Sequence, residues 1–141
     1  VPLYELNRIK NGADYVTPDG EVIPNSRLTR PSDLPRRYAY CSDTCYLPHL
    51  VSQLKGVDLL FHEATFVNAD APRAKETFHT TAGQAAQLAR DAEVKSLLVG
   101  HFSARYEDES CLLEEARSVF PHTRLAQETL CVQVGETFFQ A

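Results

Sequence analysis

The sequence predicts an α/β fold built on a largely parallel sheet, and three observations carry that expectation. From Arg36 onward, short apolar runs alternate with stretches of helical period, the pattern of βαβ units. Three of those runs end in polar side chains able to bind ligands, as happens where a site forms beyond the carboxyl ends of parallel strands. The length, 141 residues, suits a single domain of the usual size, about 100–200 residues.

Tyr15-Val16-Thr17-Pro18-Asp19-Gly20-Glu21-Val22-Ile23 reads as a hairpin, because Pro presets φ for a turn and Gly supplies a positive φ. Residues 24–35 contain several prolines and no periodicity and are read as an irregular connection. A strand is expected over 37–41, ending at Ser42-Asp43-Thr44. A short helix follows, with Pro48 in its first turn, Leu47, Val51 and Leu54 on one face and Gly56 as its stop.

The run Val57-Asp58-Leu59-Leu60-Phe61 has the near-continuous apolarity of a strand covered on both faces, and it leads into His62-Glu63-Ala64-Thr65. Residues 68–78 read as a polar loop. Thr81-Ala82-Gly83-Gln84 has the spacing of a capping box, followed by a stripe of Ala85, Leu88, Ala89 and Ala92, with His79 just upstream. A third strand, Ser96-Leu97-Leu98-Val99, ends in Gly100-His101-Phe102-Ser103. A last helix carries Leu112, Ala116, Val119 and Phe120 on one face and stops at Pro121, and residues 124–126 and 130–134 read as a terminal hairpin.

The composition, 43% hydrophobic and 23% charged, excludes a disordered or low-complexity chain. No apolar run approaches the roughly 20 residues that cross a bilayer, and the opening residues lack a signal-peptide core, so no membrane partner and a cytoplasmic location are expected. The four cysteines are too few and too irregular for a disulfide framework and are expected as reduced, buried thiols. A net charge of −5 gives the chain no overall electrostatic footprint for nucleic acid, so any RNA contact must be local.

Asp43, His62, Glu63 and His101 stand at strand ends, with His79 at a helix start. Taken singly, an Asp before a helix is commonly an N-cap, and a His at a strand end is commonly a hydrogen-bonded loop residue. Their coincidence at one edge points instead to a site, and imidazole with carboxylate suits a borderline dication such as zinc.

In order and spacing, Tyr40-Cys41-Ser42-Asp43-Thr44, His62-Glu63-Ala64-Thr65-Phe66, His79-Thr80-Thr81 and Gly100-His101-Phe102-Ser103-Ala104-Arg105-Tyr106 closely resemble the C-terminal half of the ribonuclease Z family. These are tRNA 3′-processing endoribonucleases of the metallo-β-lactamase fold. The resemblance extends over the whole chain, including Ile9-Lys10-Asn11-Gly12 and the Asp19-Gly20 turn. It implies one domain, residues 1–141, forming the C-terminal half of an αββα sandwich with a mixed sheet and flanking helices. It further implies that Asp43 bridges two zinc ions per active site and that His101 ligates the second. His79 would act in proton transfer or phosphate stabilisation without ligating metal. Glu63, counted with it as catalytic, and His62 would belong to the loop beside it, with an orienting role. Ser103 and Arg105 would position substrate, a structural role for both being equally open. The implied reaction is removal of the 3′ trailer from precursor tRNA by metal-activated water attacking the phosphodiester.

One departure is large. The family's principal string, His-x-His-x-Asp-His, and a further histidine ligand lie upstream in the complete enzyme and do not occur between Val1 and Arg37, and no methionine is present. The chain therefore reads as the C-terminal part of such an enzyme, its N-terminal metal-ligand part absent, binding zinc weakly and inactive alone. One apolar sheet face should be left open, favouring a homodimer. The alternatives are half of another phosphodiesterase of the same fold, or a non-catalytic α/β interaction module.

Overall fold

The computed structural model describes residues 1–139 and comprises two compact units, Val1–Pro35 and a second that begins at Arg36. In the first, a 3₁₀ turn at Leu3–Glu5 leads into α1 (Leu6–Lys10), and β1 (Tyr15–Val16) pairs antiparallel with β2 (Val22–Ile23). The expected turn is present: Gly20 adopts φ +86° and donates to the Thr17 carbonyl at 2.9 Å. The stretch expected to be irregular contains α2 (Asn25–Leu28). Asn25 anchors it by donating from Nδ2 to the carbonyls of Ile9 (2.6 Å) and Ala13 (2.9 Å).

The second unit is a four-stranded sheet in the order β3 (Tyr38–Cys41), β4 (Leu59–Glu63), β5 (Ser96–Gly100), β6 (Thr123–Leu125), every neighbouring pair parallel. The antiparallel pairing of the chain is confined to the β1–β2 hairpin among the described residues. Between the strands run α3 (Val51–Leu54), α4 (Ala71–Glu76), α5 (Ala82–Asp91) and α6 (Ser110–Val119). A sheet that grows in one direction through crossovers of one hand keeps its crossover helices on one face. Accordingly Leu54 of α3, Ala85, Leu88 and Ala89 of α5, and Leu112 and Ala116 of α6 share one buried cluster with Leu60, Leu97 and Val99. The alanines of α5 let that helix approach both the sheet and α6 closely.

Side chains alternate across a strand, so Tyr38, Tyr40, Phe61 and Leu98 occupy the other face. Tyr40 stacks on Phe61 with ring centroids 4.6 Å apart, yet Tyr38 and Tyr40 remain 52% and 65% exposed. This open apolar face is the one expected from the sequence.

Three local expectations are corrected. Residues 68–78 contain a 3₁₀ turn and α4, which has good helix formers and a first-turn proline but only Ala74 buried, so it shows no apolar stripe. The terminal hairpin is absent among the described residues: β6 instead adds parallel to β5, and turns closing at Leu130 and Glu136, with Gly135 at φ +101°, interrupt the β-prone run 130–134. Beyond it Ser96 fastens the chain, donating to the Glu136 carbonyl at 2.8 Å and accepting from the Phe138 amide at 3.1 Å. Finally, all four thiols are free but none is buried: Cys41 and Cys45 are half-buried and Cys111 and Cys131 exposed, Cys111 lying beside Leu112 on the outer side of α6.

The two sheet faces differ enough to be told apart by truncation. Leu97→Ala, at a fully buried position, should cost about 2–5 kcal/mol of unfolding free energy, and Leu98→Ala, on the open face, under about 2 kcal/mol. Urea unfolding of both variants checks this, and equal losses would mean that the open face is covered.

Candidate active site

The carboxyl edge of the sheet collects the polar side chains that end the apolar runs of the sequence. Glu63 is the last residue of β4, Asp43 follows β3 after one intervening residue, His101 follows β5 directly, and His79 lies between α4 and α5. Asp43 and His101 adopt left-handed backbone, φ +49° and +61°, and Phe78 beside His79 does so at +59°. Non-glycine residues hold such conformations where the surroundings over-determine them, and these cluster at functional sites.

Glu63 is fully buried and its carboxylate is held from three segments. The Thr44 amide donates to Oε1 at 2.6 Å. The Thr80 amide and the Thr65 hydroxyl donate to Oε2 at 3.0 and 2.6 Å, the Thr65 hydroxyl having the His101 carbonyl as its alternative acceptor at 2.9 Å. His79 Nδ1 lies 3.1 and 3.0 Å from the two carboxylate oxygens. Burial by itself would push the Glu63 carboxyl up, but the hydrogen bonds from Thr65, Thr80, Thr44 and His79 outweigh it and hold the group below the ordinary glutamate range. Glu63 is therefore an anion at neutral pH. An anion only accepts, so His79 carries its proton on Nδ1 and leaves Nε2 for other work.

His79 is partly exposed, and its ring centroid lies 5.4 Å from that of His101. His101 Nε2 is 3.2 Å from Asp43 Oδ1. Asp43, His79 and His101 each offer one ligand atom, and these atoms all lie within 4.8 Å of one another. One carboxylate and two imidazoles are a donor set that fits zinc, so the residues present could hold a metal ion. The sequence reading paired Asp43 with His101 and kept His79 apart; the geometry brings all three together.

His62, also fully buried, does not reach this cluster. Its Nδ1 donates to the Glu63 carbonyl at 2.8 Å and its Nε2 has no partner. Burial drives its imidazole below the ordinary histidine range, against the opposing Glu63 carbonyl bond and charge, so the ring is neutral. Ser103 and Arg105 lie in the loop after His101. The Ser103 amide donates to the Thr65 carbonyl at 3.0 Å, Arg105 pairs with Asp70 at 3.4 Å and stands 5.0 Å above the Phe66 ring. Tyr106 completes this strap, donating from its hydroxyl to Asp70 Oδ2 at 2.5 Å and accepting from the Val67 amide at 2.9 Å. The grips of Thr44, Thr65 and Thr80 on Glu63 were not foreseen. Those threonines stand inside the motifs read from the sequence, but their convergence on one carboxylate is tertiary.

α5 begins at this edge with the expected capping box. Thr81 Oγ1 accepts from the Gln84 amide at 3.1 Å and Gln84 Oε1 from the Thr81 amide at 3.0 Å. Glu115 of α6 accepts from the Gly83 amide at 2.8 Å, which fixes the helix start and with it Thr80 and His79.

Comparison with known proteins defines the class to which this sheet and its helices belong. Residues 32–102 match the family described as beta-lactamase superfamily domain, and the chain belongs to that superfamily. More particularly, it is similar to proteins named Ribonuclease Z: 68% identical over 134 residues to that of Phocaeicola vulgatus, covering 95% of this chain and 43% of the relative. To that of Bacteroides fragilis it is 69% identical, covering 95% and 44%. The chain thus spans less than half the length of these curated relatives. Two solved structures share the fold. The metallo-beta-lactamase fold protein YhfI of Bacillus subtilis has a TM-score of 0.58 and 24% identity over 62% of this chain and 36% of its own. A long form RNase Z from yeast has 0.57 and 23% over 70% of this chain and 13% of its own. Among the described residues no helix is long and apolar enough to cross a membrane.

Because the Glu63 carboxyl is held low, its stabilising effect is complete above the unfolded value of about 4.3 and is lost as pH falls through the lower folded value. The unfolding free energy of the natural sequence should therefore drop more steeply below about pH 4.3 than that of Glu63→Gln. Denaturant titrations at a series of pH values test this, and parallel profiles would contradict the assigned ionisation.

Proposed function

We propose that this chain is the C-terminal part of a zinc-dependent endoribonuclease that removes the 3′ trailer from precursor tRNA. The observation that carries the reading is its 68% identity, over 95% of its length, to a protein named Ribonuclease Z, in a chain whose Asp43, His79 and His101 converge on one point. In the complete active site Asp43 and His101 would hold zinc, two ions per site, together with ligands from outside this chain. Bound there, zinc would supply a Lewis acid for a phosphoryl oxygen and acidify water.

The chain's own residues handle the proton. Glu63 fixes the His79 ring by accepting from Nδ1, keeps Nε2 turned to the reacting phosphodiester, and stabilises the imidazole when it is protonated. With Nε2 protonated from solvent before the P–O bond breaks, the His79 imidazolium gives that proton to the departing 3′-oxygen of the mature tRNA and is left as the neutral Nδ1–H ring. His62 orients Glu63 from beneath through the bond to its carbonyl. Ser103 and Arg105 position substrate by setting the loop that carries His101, Arg105 being anchored on Asp70 and Phe66. A homodimer in the cytoplasm belongs to the same reading: the exposed Tyr38 and Tyr40 offer an apolar face, and all four thiols are free.

The full-length gene product should cleave a precursor tRNA bearing a 3′ trailer, lose activity on chelation and recover it with zinc. Hydrolysis of small phosphodiesters with no cleavage of precursor tRNA would instead favour another phosphodiesterase of this superfamily. Within that enzyme, His79→Ala should leave metal content intact and slow single-turnover cleavage by about 10²–10⁴-fold. Asp43→Ala and His101→Ala should lower metal content and activity together. Loss of zinc from the His79 variant, measured on the same preparations, would make His79 a ligand instead.

A further inference from the structure

The mechanism leaves unused a cleft of about 580 Å³ that opens beside His79. Its walls include Cys45 and Tyr46 from the segment after β3, Pro72 and Lys75 from α4, His79, and Gln84 from the first turn of α5. The lining is mostly apolar, one wall is an aromatic ring, and the single cation in it, Lys75, is exposed. The volume falls within the range of small-ligand sites, about 300–1,000 Å³. Since His79 also belongs to the Asp43–His101 cluster, whatever occupies the cleft lies next to the reacting centre.

From this juxtaposition we infer that the cleft is a subsite for the single ribonucleotide flanking the scissile phosphate, its base against Tyr46 and its backbone phosphate on Lys75. The inference rests on the nuclease reading above and extends it by naming where the substrate beside the cut is held. The chemistry matches part by part. A base presents an apolar face that an aromatic ring recognises regardless of sequence, and the phosphate needs a local cation, which Lys75 provides in an otherwise acidic chain. Gln84, whose Oε1 accepts from the Thr81 amide, offers its Nε2 as a donor to a base edge. Tyr46 and Lys75 are positioning residues; neither is one of the three ligand-capable residues Asp43, His79 and His101.

The groove carries its own reporter, since Cys45 is a half-buried free thiol in its wall while Cys111 and Cys131 are exposed elsewhere. The test uses the full-length, zinc-loaded enzyme with a precursor-tRNA minihelix carrying a non-hydrolysable phosphonate at the junction. Bound minihelix should protect Cys45, but not Cys111 or Cys131, from alkylation mapped by peptide mass spectrometry. Lys75→Gln should reduce the slope of log K against log salt by about 0.7, the value for one single-strand phosphate no longer neutralised by the protein. Tyr46→Leu, which keeps apolar bulk, should weaken binding by about 5- to 150-fold, and Tyr46→Phe should restore it. Lys75→Gln and Tyr46→Leu should raise KM for cleavable substrate, and Tyr46→Phe should leave it near that of the natural sequence, while metal content stays constant in all three.

Efficient cleavage of precursor tRNA with Cys45 unprotected, an unchanged salt slope and Tyr46→Leu equal to Tyr46→Phe would overturn the subsite and leave the nuclease reading standing. Protection and a Lys75-dependent salt slope without cleavage would uphold the subsite and overturn the reading of the reaction. Protection by a small phosphodiester such as bis(p-nitrophenyl) phosphate, with none by the minihelix, would overturn both.

Discussion

A carboxylate sealed from water must be held by donors or lose its charge, and the edge of this sheet is organised around one such group. Glu63 ends the second strand of the parallel sheet, and the donors that keep it ionised come from the loop after the first strand, from the turn after its own strand and from the entrance to α5. Each donor belongs to a different connection, so satisfying one carboxylate fixes three loops at once. His79 is the fourth partner, and the bond to Glu63 sets both its ring orientation and the nitrogen left free. The functional geometry is therefore a consequence of buried electrostatics.

The rest of the unit supplies what this anion requires. Parallel pairing brings the ends of β3, β4 and β5 to one edge, and α5, capped by the Thr81–Gln84 pair and fixed to α6 through Glu115, brings Thr80 and His79 to that edge from the helical side. Asp43 and His101 leave their strands in left-handed backbone, turning the chain abruptly so that their side chains meet 3.2 Å apart. The cluster is open toward solvent while Glu63 is not, which separates a group that organises from groups that can engage metal and substrate.

The sheet and the edge residues were legible because strands covered by helices announce themselves as apolar runs, and His62, Glu63 and His101 interrupt those runs at their ends. Motif resemblance implies metal ligation for Asp43 and His101 and proton chemistry for His79, whereas the geometry brings the three together. α4 was hidden because a helix with only Ala74 buried carries no periodic signal. Residues 130–134 misled for the opposite reason: their β propensity is real, but β6 already occupies the edge of β5 and the turns around them prevent pairing. Nothing local in Thr44, Thr65 or Thr80 says that they converge on one carboxylate; only the fold brings together groups as far apart in sequence as Thr44 and Thr80.

The protonation of His79 tests this account most directly. Long-range ¹H–¹⁵N correlation spectra at neutral pH, recorded on ¹⁵N-histidine-labelled protein and assigned with a His79 substitution, distinguish the two neutral tautomers. The account predicts a protonated Nδ1 on His79, with that preference weakened in Glu63→Gln. A His79 ring protonated on Nε2 alone, unchanged by Glu63→Gln, would contradict it.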